Sequence, residues 1–123
     1  MALILTVDDS MFMRNRMRET LRKAGYQTLQ ASDGQKALEV LAEDLPDCIV
    51  LDLLMPNMTG VEVLEVLHAR GLQIPVIILT ADIQESVREK CLALGVAGFL
   101  NKPLKPTELL NTIQNVIKEA SNE

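Results

Sequence analysis

The sequence predicts an α/β domain built on a single doubly wound parallel sheet of five strands, with helices on both faces. Three observations predict it. Apolar, β-branched runs alternate strictly with segments of helical periodicity along the 123 residues. The first, third and fourth runs are apolar throughout, as strands covered on both faces are, while the second and fifth are more polar. The length fits one domain, residues 1–123, with room for a real core.

Each element carries its own signal. Leu3 to Val7 reads as a strand, and Ser10 caps a helix that puts Met13, Met17, Leu21 and Ala24 on one face before Gly25 closes it. Gln27 to Ala31 is a second strand. Asp33-Gly34 opens a helix with Ala37, Leu38, Leu41 and Ala42 inward, and Pro46 follows its end. Cys48 to Leu51 is an apolar strand ending at Asp52. Thr59 with Glu62 has the capping-box pattern and starts a third helix, with Val63, Leu64 and Leu67 on one side. Val76 to Leu79 is a fourth strand. Asp82 caps a helix carrying Val87, Cys91 and Leu94, closed by Gly95. Ala97 to Asn101 is the fifth strand, and Pro106 opens a last helix burying Leu109, Leu110, Ile113, Val116 and Ile117. Right-handed crossovers and the two polar edges favour the strand order 2-1-3-4-5.

Composition narrows the function. Hydrophobic residues make up 48% and aromatics only 2%, so the core is aliphatic. The net charge of -5 argues against a nucleic-acid surface and an anionic membrane surface, and leaves room for a cation. No apolar run reaches membrane-spanning length, and the first one leads into Asp8-Asp9 rather than a cleavage site. Cys48 and Cys91 sit in apolar company and read as reduced core thiols of a cytoplasmic protein.

In open α/β sheets, ligands bind at the carboxyl ends of the strands, where the strand order reverses. Asp8 and Asp9 follow the first strand, Asp52 ends the third, Thr80 the fourth and Lys102 the fifth. Singly, each reads equally well as a turn, cap or solvated residue. Together they do not, because crowded carboxylates repel unless something positive sits among them. A hard divalent cation with oxygen ligands answers that, and Mg²⁺ suits few carboxylates plus waters and phosphate oxygens. A neighbouring hydroxyl and ammonium are what a phosphoryl group needs around it.

These residues carry a resemblance. Val7-Asp8-Asp9-Ser10, Asp52 to Gly60 (DLLMPNMTG), Leu79-Thr80-Ala81 and Phe99-Leu100-Asn101-Lys102-Pro103, in that order, resemble the receiver domains of two-component response regulators over the whole chain. The resemblance implies the flavodoxin-like receiver fold, with Asp52 as phosphoacceptor. Asp9, Asp52 and the Leu54 carbonyl would hold Mg²⁺ directly, and Asp8 through water. Thr80 and Lys102 would contact the phosphoryl oxygens, helped by the Leu54 and Ala81 N–H groups. Thr80 and Phe99 would form the switch, Phe99 standing where many members have Tyr. The Lys102–Pro103 bond is expected to be cis. The resemblance also implies a sensor histidine kinase or phosphotransfer protein as donor. Its readout face would be the fourth helix, fifth strand and fifth helix. Such a switch catalyses its own phosphorylation and dephosphorylation and does not turn over an external metabolite.

Three rivals carry less. A phosphatase of the haloacid-dehalogenase type has a second Asp where this chain has Leu54. A flavin or dinucleotide module needs a Gly-rich loop after the first strand. A binding-only pseudo-receiver does not need the acidic set with Thr80 and Lys102. His68, the arginines Arg14 to Arg22 and the six methionines read as solvated residues, a solvated helix face and core filler. The sequence shows no output segment, so signalling by protein contact is expected, most like the chemotaxis regulators; a phosphorelay intermediate or a fragment of a larger regulator is the alternative.

Overall fold

The computed structural model describes residues 2–81 and 83–121. Elements alternate as β1 (Leu3–Val7), α1 (Met11–Lys23), β2 (Gln27–Ala31), α2 (Gly34–Glu43), β3 (Cys48–Leu51), α3 (Gly60–Ala69), β4 (Val76–Thr80), α4 (Glu85–Ala93), β5 (Gly98–Asn101) and α5 (Pro106–Ser121). All strand pairs are parallel, in the order β2-β1-β3-β4-β5. That is the predicted topology.

The sheet separates two aliphatic cores. Ile4, Cys48, Val50, Ile77 and Leu79 pack against Met17 and Leu21 of α1 and Leu109 and Ile113 of α5. Leu5, Val7, Ile49, Leu51 and Ile78 pack on the other side against α2, α3 and Cys91 of α4. Each fully buried Leu or Ile contributes roughly 1.5–3 kcal/mol, so the central strands anchor the loops at their ends.

Helix starts follow the sequence signals. Ser10, Asp33 and Thr59 accept from the N–H groups of Met13, Lys36 and Glu62, and Thr59 with Glu62 completes a capping box. Some expected details differ. Ala24 is the C-cap of α1 rather than part of its apolar stripe, and Ala42 falls past the edge of the α2 stripe; both are exposed. The β5 ladder starts at Gly98, one residue later than expected. In α4 the N-cap is Gln84, which makes no side-chain cap bond; the expected cap Asp82 lies outside the described residues. Cys91 is the one buried residue of α4, with Val87 and Leu94 only half-buried. Gly60 has a steric reason: a Cβ there would lie 2.6 Å from the Asp52 carbonyl oxygen and 2.8 Å from the Leu53 Cα. α3 therefore starts directly against the turn after β3, and the Gly60 N–H bonds the Leu53 carbonyl at 3.0 Å.

Candidate functional site

The carboxyl ends of β1, β3, β4 and β5 converge on one pocket. β1 delivers Asp8 and Asp9, and β3 delivers Asp52. The Asp52 N–H bonds the Val7 carbonyl at 2.9 Å, so the two strand ends are locked in register. One carboxylate oxygen from each of Asp8, Asp9 and Asp52 fits within a 4.8 Å cluster. Asp8 is 1% exposed and Asp52 5%, whereas Asp9 is exposed.

Lys102, just past β5, reaches across the sheet edge to this cluster. Its N–H bonds the Thr80 carbonyl at 2.9 Å, and its peptide bond to Pro103 is cis. The ammonium nitrogen lies 2.9 Å from Asp8 Oδ2 and donates to Asp52 Oδ2 at 3.1 Å. The Asp8 contact is an ion pair without an aligned hydrogen bond, so that buried oxygen keeps unused acceptor capacity. Asp8 Oδ1 accepts the Ser10 N–H at 2.9 Å, and Asp52 Oδ1 accepts the Leu54 N–H at 3.2 Å.

The electrostatics follow from burial. Burial pushes the Asp52 carboxyl above its ordinary range, outweighing the Leu54 N–H and the Lys102 ammonium. Repulsion from Asp8 adds to this but is the smaller cause. Burial alone would lower Lys102, but the Asp8 and Asp52 carboxylates close to its ammonium more than reverse it, and its pKa is raised.

The oxygen cluster fits a hard cation. Three carboxylates stand against one ammonium, and among the described residues Asp8 Oδ2 has no aligned donor.

The remaining predicted residues surround this cluster. Thr80 is 2% exposed, and among the described residues its hydroxyl has no hydrogen-bond partner. Leu54 is 69% exposed at the mouth of the pocket. Phe99 is half-buried on β5, away from the carboxylates, with the Arg88 guanidinium 4.3 Å from its ring centroid. His68 is exposed, as expected. Arg14 is not simply solvated: its guanidinium donates to the Asp8 carbonyl at 2.6 Å and so holds the β1–α1 turn. Neither Arg14 nor Arg88 stood out in the sequence. Helical position alone places Arg88 one turn from Cys91, on the side that can reach β5.

Fold and site together define a doubly wound α/β domain with an acidic cluster and a cross-strand lysine at its switch point. The chain belongs to the response regulator receiver domain family, whose profile matches residues 4–114. It is 39% identical over 115 residues to the response regulator MprA of Mycobacterium leprae, covering 94% of this chain and 50% of that protein. It is 37% identical over 120 residues to MprA of Mycobacterium tuberculosis, covering 98% of this chain and 52% of that one. The chain thus spans about half the length of the curated relatives it matches. Among solved structures it is similar to the chemotaxis protein CheY4 of Vibrio cholerae, with a TM-score of 0.89 and 36% identity over 94% of this chain and 98% of that one. A CheY-like receiver domain from Methanospirillum hungatei, at 24% identity and a TM-score of 0.94, shares the fold.

Proposed function

We propose that this receiver domain is a phosphorylation-activated switch in which Asp52 takes the phosphoryl group, with Asp8, Asp9, Asp52 and the Leu54 carbonyl holding Mg²⁺. One observation carries the reading: the Lys102 ammonium bridges Asp8 and Asp52 at 2.9 and 3.1 Å, and the buried Thr80 hydroxyl at the end of β4 has no partner among the described residues. An ammonium so placed neutralises charge on a group attached to Asp52 while staying paired to Asp8.

The chemistry is phosphoryl transfer, which depends mainly on positioning and charge neutralisation. An Asp52 carboxylate oxygen attacks phosphorus in line; the new O–P bond forms as the bond to the donor's imidazole or acyl oxygen breaks. Bound Mg²⁺ would supply charge neutralisation to the phosphoryl oxygens. Lys102 supplies the protein's own share, and the Leu54 and Ala81 N–H groups donate to the phosphoryl oxygens. The acyl phosphate carries roughly 1.5 to 2 negative charges where the carboxylate carried one. The free Thr80 hydroxyl is then drawn to the new oxygens, and Phe99 turns inward into the space under α4. α4, β5 and α5 form the readout face.

The donor is a sensor histidine kinase or phosphotransfer protein, the compartment is the cytoplasm, and residues 1–123 act as one domain. Among the described residues no helix is long and apolar enough to cross a membrane. Likeness to a chemotaxis protein along 98% of that protein's length supports a role in chemotaxis through protein contact. A second reading has its own support: the MprA relatives are about twice as long as this chain, which favours the receiver part of a longer regulator.

The test is intact mass at neutral pH after incubation with Mg²⁺ and acetyl phosphate. Wild type gains one phosphoryl group, and Asp52→Asn gains none. Full labelling of the variant overturns the assignment.

A further inference from the structure

We infer that the β2 edge and the arginine stripe of α1 beside it form a docking groove for an extended acidic segment of a partner protein, which adds to the sheet as a sixth strand. The surface lies outside the phosphoryl site and the α4–β5–α5 face.

The backbone supplies half of the argument. β2 is an edge strand, paired on one side only, with β1. The Gln27 N–H bonds the Ala2 carbonyl, and the Ala31 carbonyl accepts the Asp8 N–H, so residues 27 and 31 face β1. Backbone groups alternate along a strand. Thr28 and Gln30 therefore turn their N–H and C=O groups outward, away from β1. Such an edge is a template for an added strand. No proline or glycine interrupts it, and its Lys count is zero, so the usual devices that blunt an edge are missing from residues 27–31.

Side chains supply the other half. Arg14, Arg18 and Arg22 follow each other at four-residue spacing and form one stripe along α1. Thr28 lies opposite Ile4, which belongs to the core under α1, so Thr28 and Gln30 present their side chains to α1's side of the sheet. The Gln30 amide accordingly reaches the Arg14 carbonyl at 3.5 Å. Arg18, Arg22, Tyr26, Thr28 and Gln30 then line one open groove of about 510 Å³ along the strand.

Charge selects the occupant. Glu19, the one acidic residue of α1, pairs with Lys23 at 3.4 Å. Among the described residues no carboxylate lies within ion-pair distance of Arg18 or Arg22. Two unneutralised guanidinium groups beside an open strand edge, on a chain of net charge -5, form a local positive strip on an acidic protein. The spacing suits an extended ligand. Successive stripe arginines rise by about 6 Å along the helix, and alternate side chains of a strand recur every ~6.8 Å. A strand pairing with Thr28 and Gln30 that carries Glu or Asp at every second position can therefore match the stripe, with Arg able to clamp each carboxylate in a bidentate pair.

The experiment uses the full chain and a labelled short peptide of alternating Glu and Val, followed by fluorescence anisotropy at low salt and by amide hydrogen exchange. The peptide should bind, and the Thr28 and Gln30 amides should gain protection. Arg18→Glu with Arg22→Glu should weaken binding roughly tenfold or more, while phosphate uptake from acetyl phosphate stays unchanged, which also shows that the variant is folded. A peptide of the same sequence N-methylated at every second residue should bind much more weakly. Absent binding, an unchanged affinity in the charge-reversed protein, or equal binding of the N-methylated peptide overturns the groove. Tighter binding of duplex DNA than of the peptide also overturns it, because the strip would then serve a phosphate backbone.

Discussion

Asp8 and Asp52, on the β1–β3 side of the site, have their carboxylates engaged by the Ser10 and Leu54 N–H groups and by Lys102. On the β4–β5 side, among the described residues, the buried Thr80 hydroxyl has no partner, the α4 N-cap Gln84 makes no side-chain cap bond, and α4 buries only Cys91. One wall is fixed by hydrogen bonds and close backbone packing, and the other is lightly held. A switch needs both: a rigid wall to position the reacting carboxylate, and a wall whose rearrangement costs little.

The comparison breaks first at Gly60. A Cβ there meets the Asp52 carbonyl oxygen at 2.6 Å, and neither backbone can yield without moving the reacting residue. Gly60→Ala should lower stability by about 3 kcal/mol, the upper end for overpacking, and slow acetyl-phosphate uptake further, because Asp52 shifts. A chemical denaturation midpoint within error of wild type would show that the rigid wall is not rigid.

The two thiols report on the two walls. Both are buried and free, Cys48 at the start of β3 and Cys91 in α4. Burial pushes the Cys48 thiol up to about 12, and burial also raises Cys91, against a lowering influence from Lys90. At neutral pH a disulfide reagent reaches Cys91 through local opening of α4 but Cys48 only through global unfolding. Native-state labelling followed by mass should therefore be on the order of a hundredfold faster at Cys91. The same thiols give a pH signature. A thiol whose folded pKa is raised favours folding below its unfolded value and loses that contribution as pH climbs through the folded one. Stability should fall as pH rises from the ordinary thiol value of 9.0 toward about 12, less steeply in Cys48→Ala. Equal labelling of the two cysteines would erase the difference between the walls.

How much of this the sequence carries depends on what each feature is made of. Alternation of apolar runs marks all five strands, and strand-end positions mark Asp8, Asp9, Asp52, Thr80 and Lys102, because both signals are written in side chains at fixed offsets. The Arg14 clamp ends on a backbone carbonyl, which leaves no trace in residue type. The need for Gly60 arises only when α3 docks on the β3 turn. The upward shift of Asp52 comes mainly from burial, which depends on packing rather than on the neighbouring acids that the sequence displays.

Leu54 tests the rigid wall from the solvent side. It is 69% exposed two residues after Asp52, and in the proposed switch it flanks the path of water to a phosphoryl group there. An apolar side chain cannot orient that water and shields the acyl phosphate. Leu54→Asn should speed loss of the phosphoryl group by about tenfold or less, since one hydrogen bond contributes on the order of 1 kcal/mol. The check is the decay of phosphorylated protein after donor removal at constant Mg²⁺. Decay at the wild-type rate or slower removes Leu54 from the hydrolysis path.

The smallest expected effect concerns the lightly held wall. Phe99 has no hydroxyl with which to hydrogen-bond, so its half-buried position rests on packing and on Arg88, 4.3 Å from the ring centroid. Such a cation–π contact contributes roughly 0.5–1 kcal/mol at a partly exposed site. It ties the ring to α4, which carries Arg88. Arg88→Ala removes this hold without touching the carboxylates or Lys102. In the proposed switch the inward ring position accompanies phosphorylation; the variant should then populate it more and take up phosphate from acetyl phosphate roughly two- to fivefold faster, the same free energy expressed as a rate. Arg88→Lys, which keeps the charge but stacks less well, should fall between the two. Ring signals of Phe99 followed by NMR should move in the unphosphorylated Arg88→Ala protein toward their positions in the beryllofluoride complex of wild type. A slower variant, or a Phe99 ring unmoved by both the substitution and beryllofluoride, would mean that Arg88 packs on a fixed core residue and that the lightly held wall moves without it.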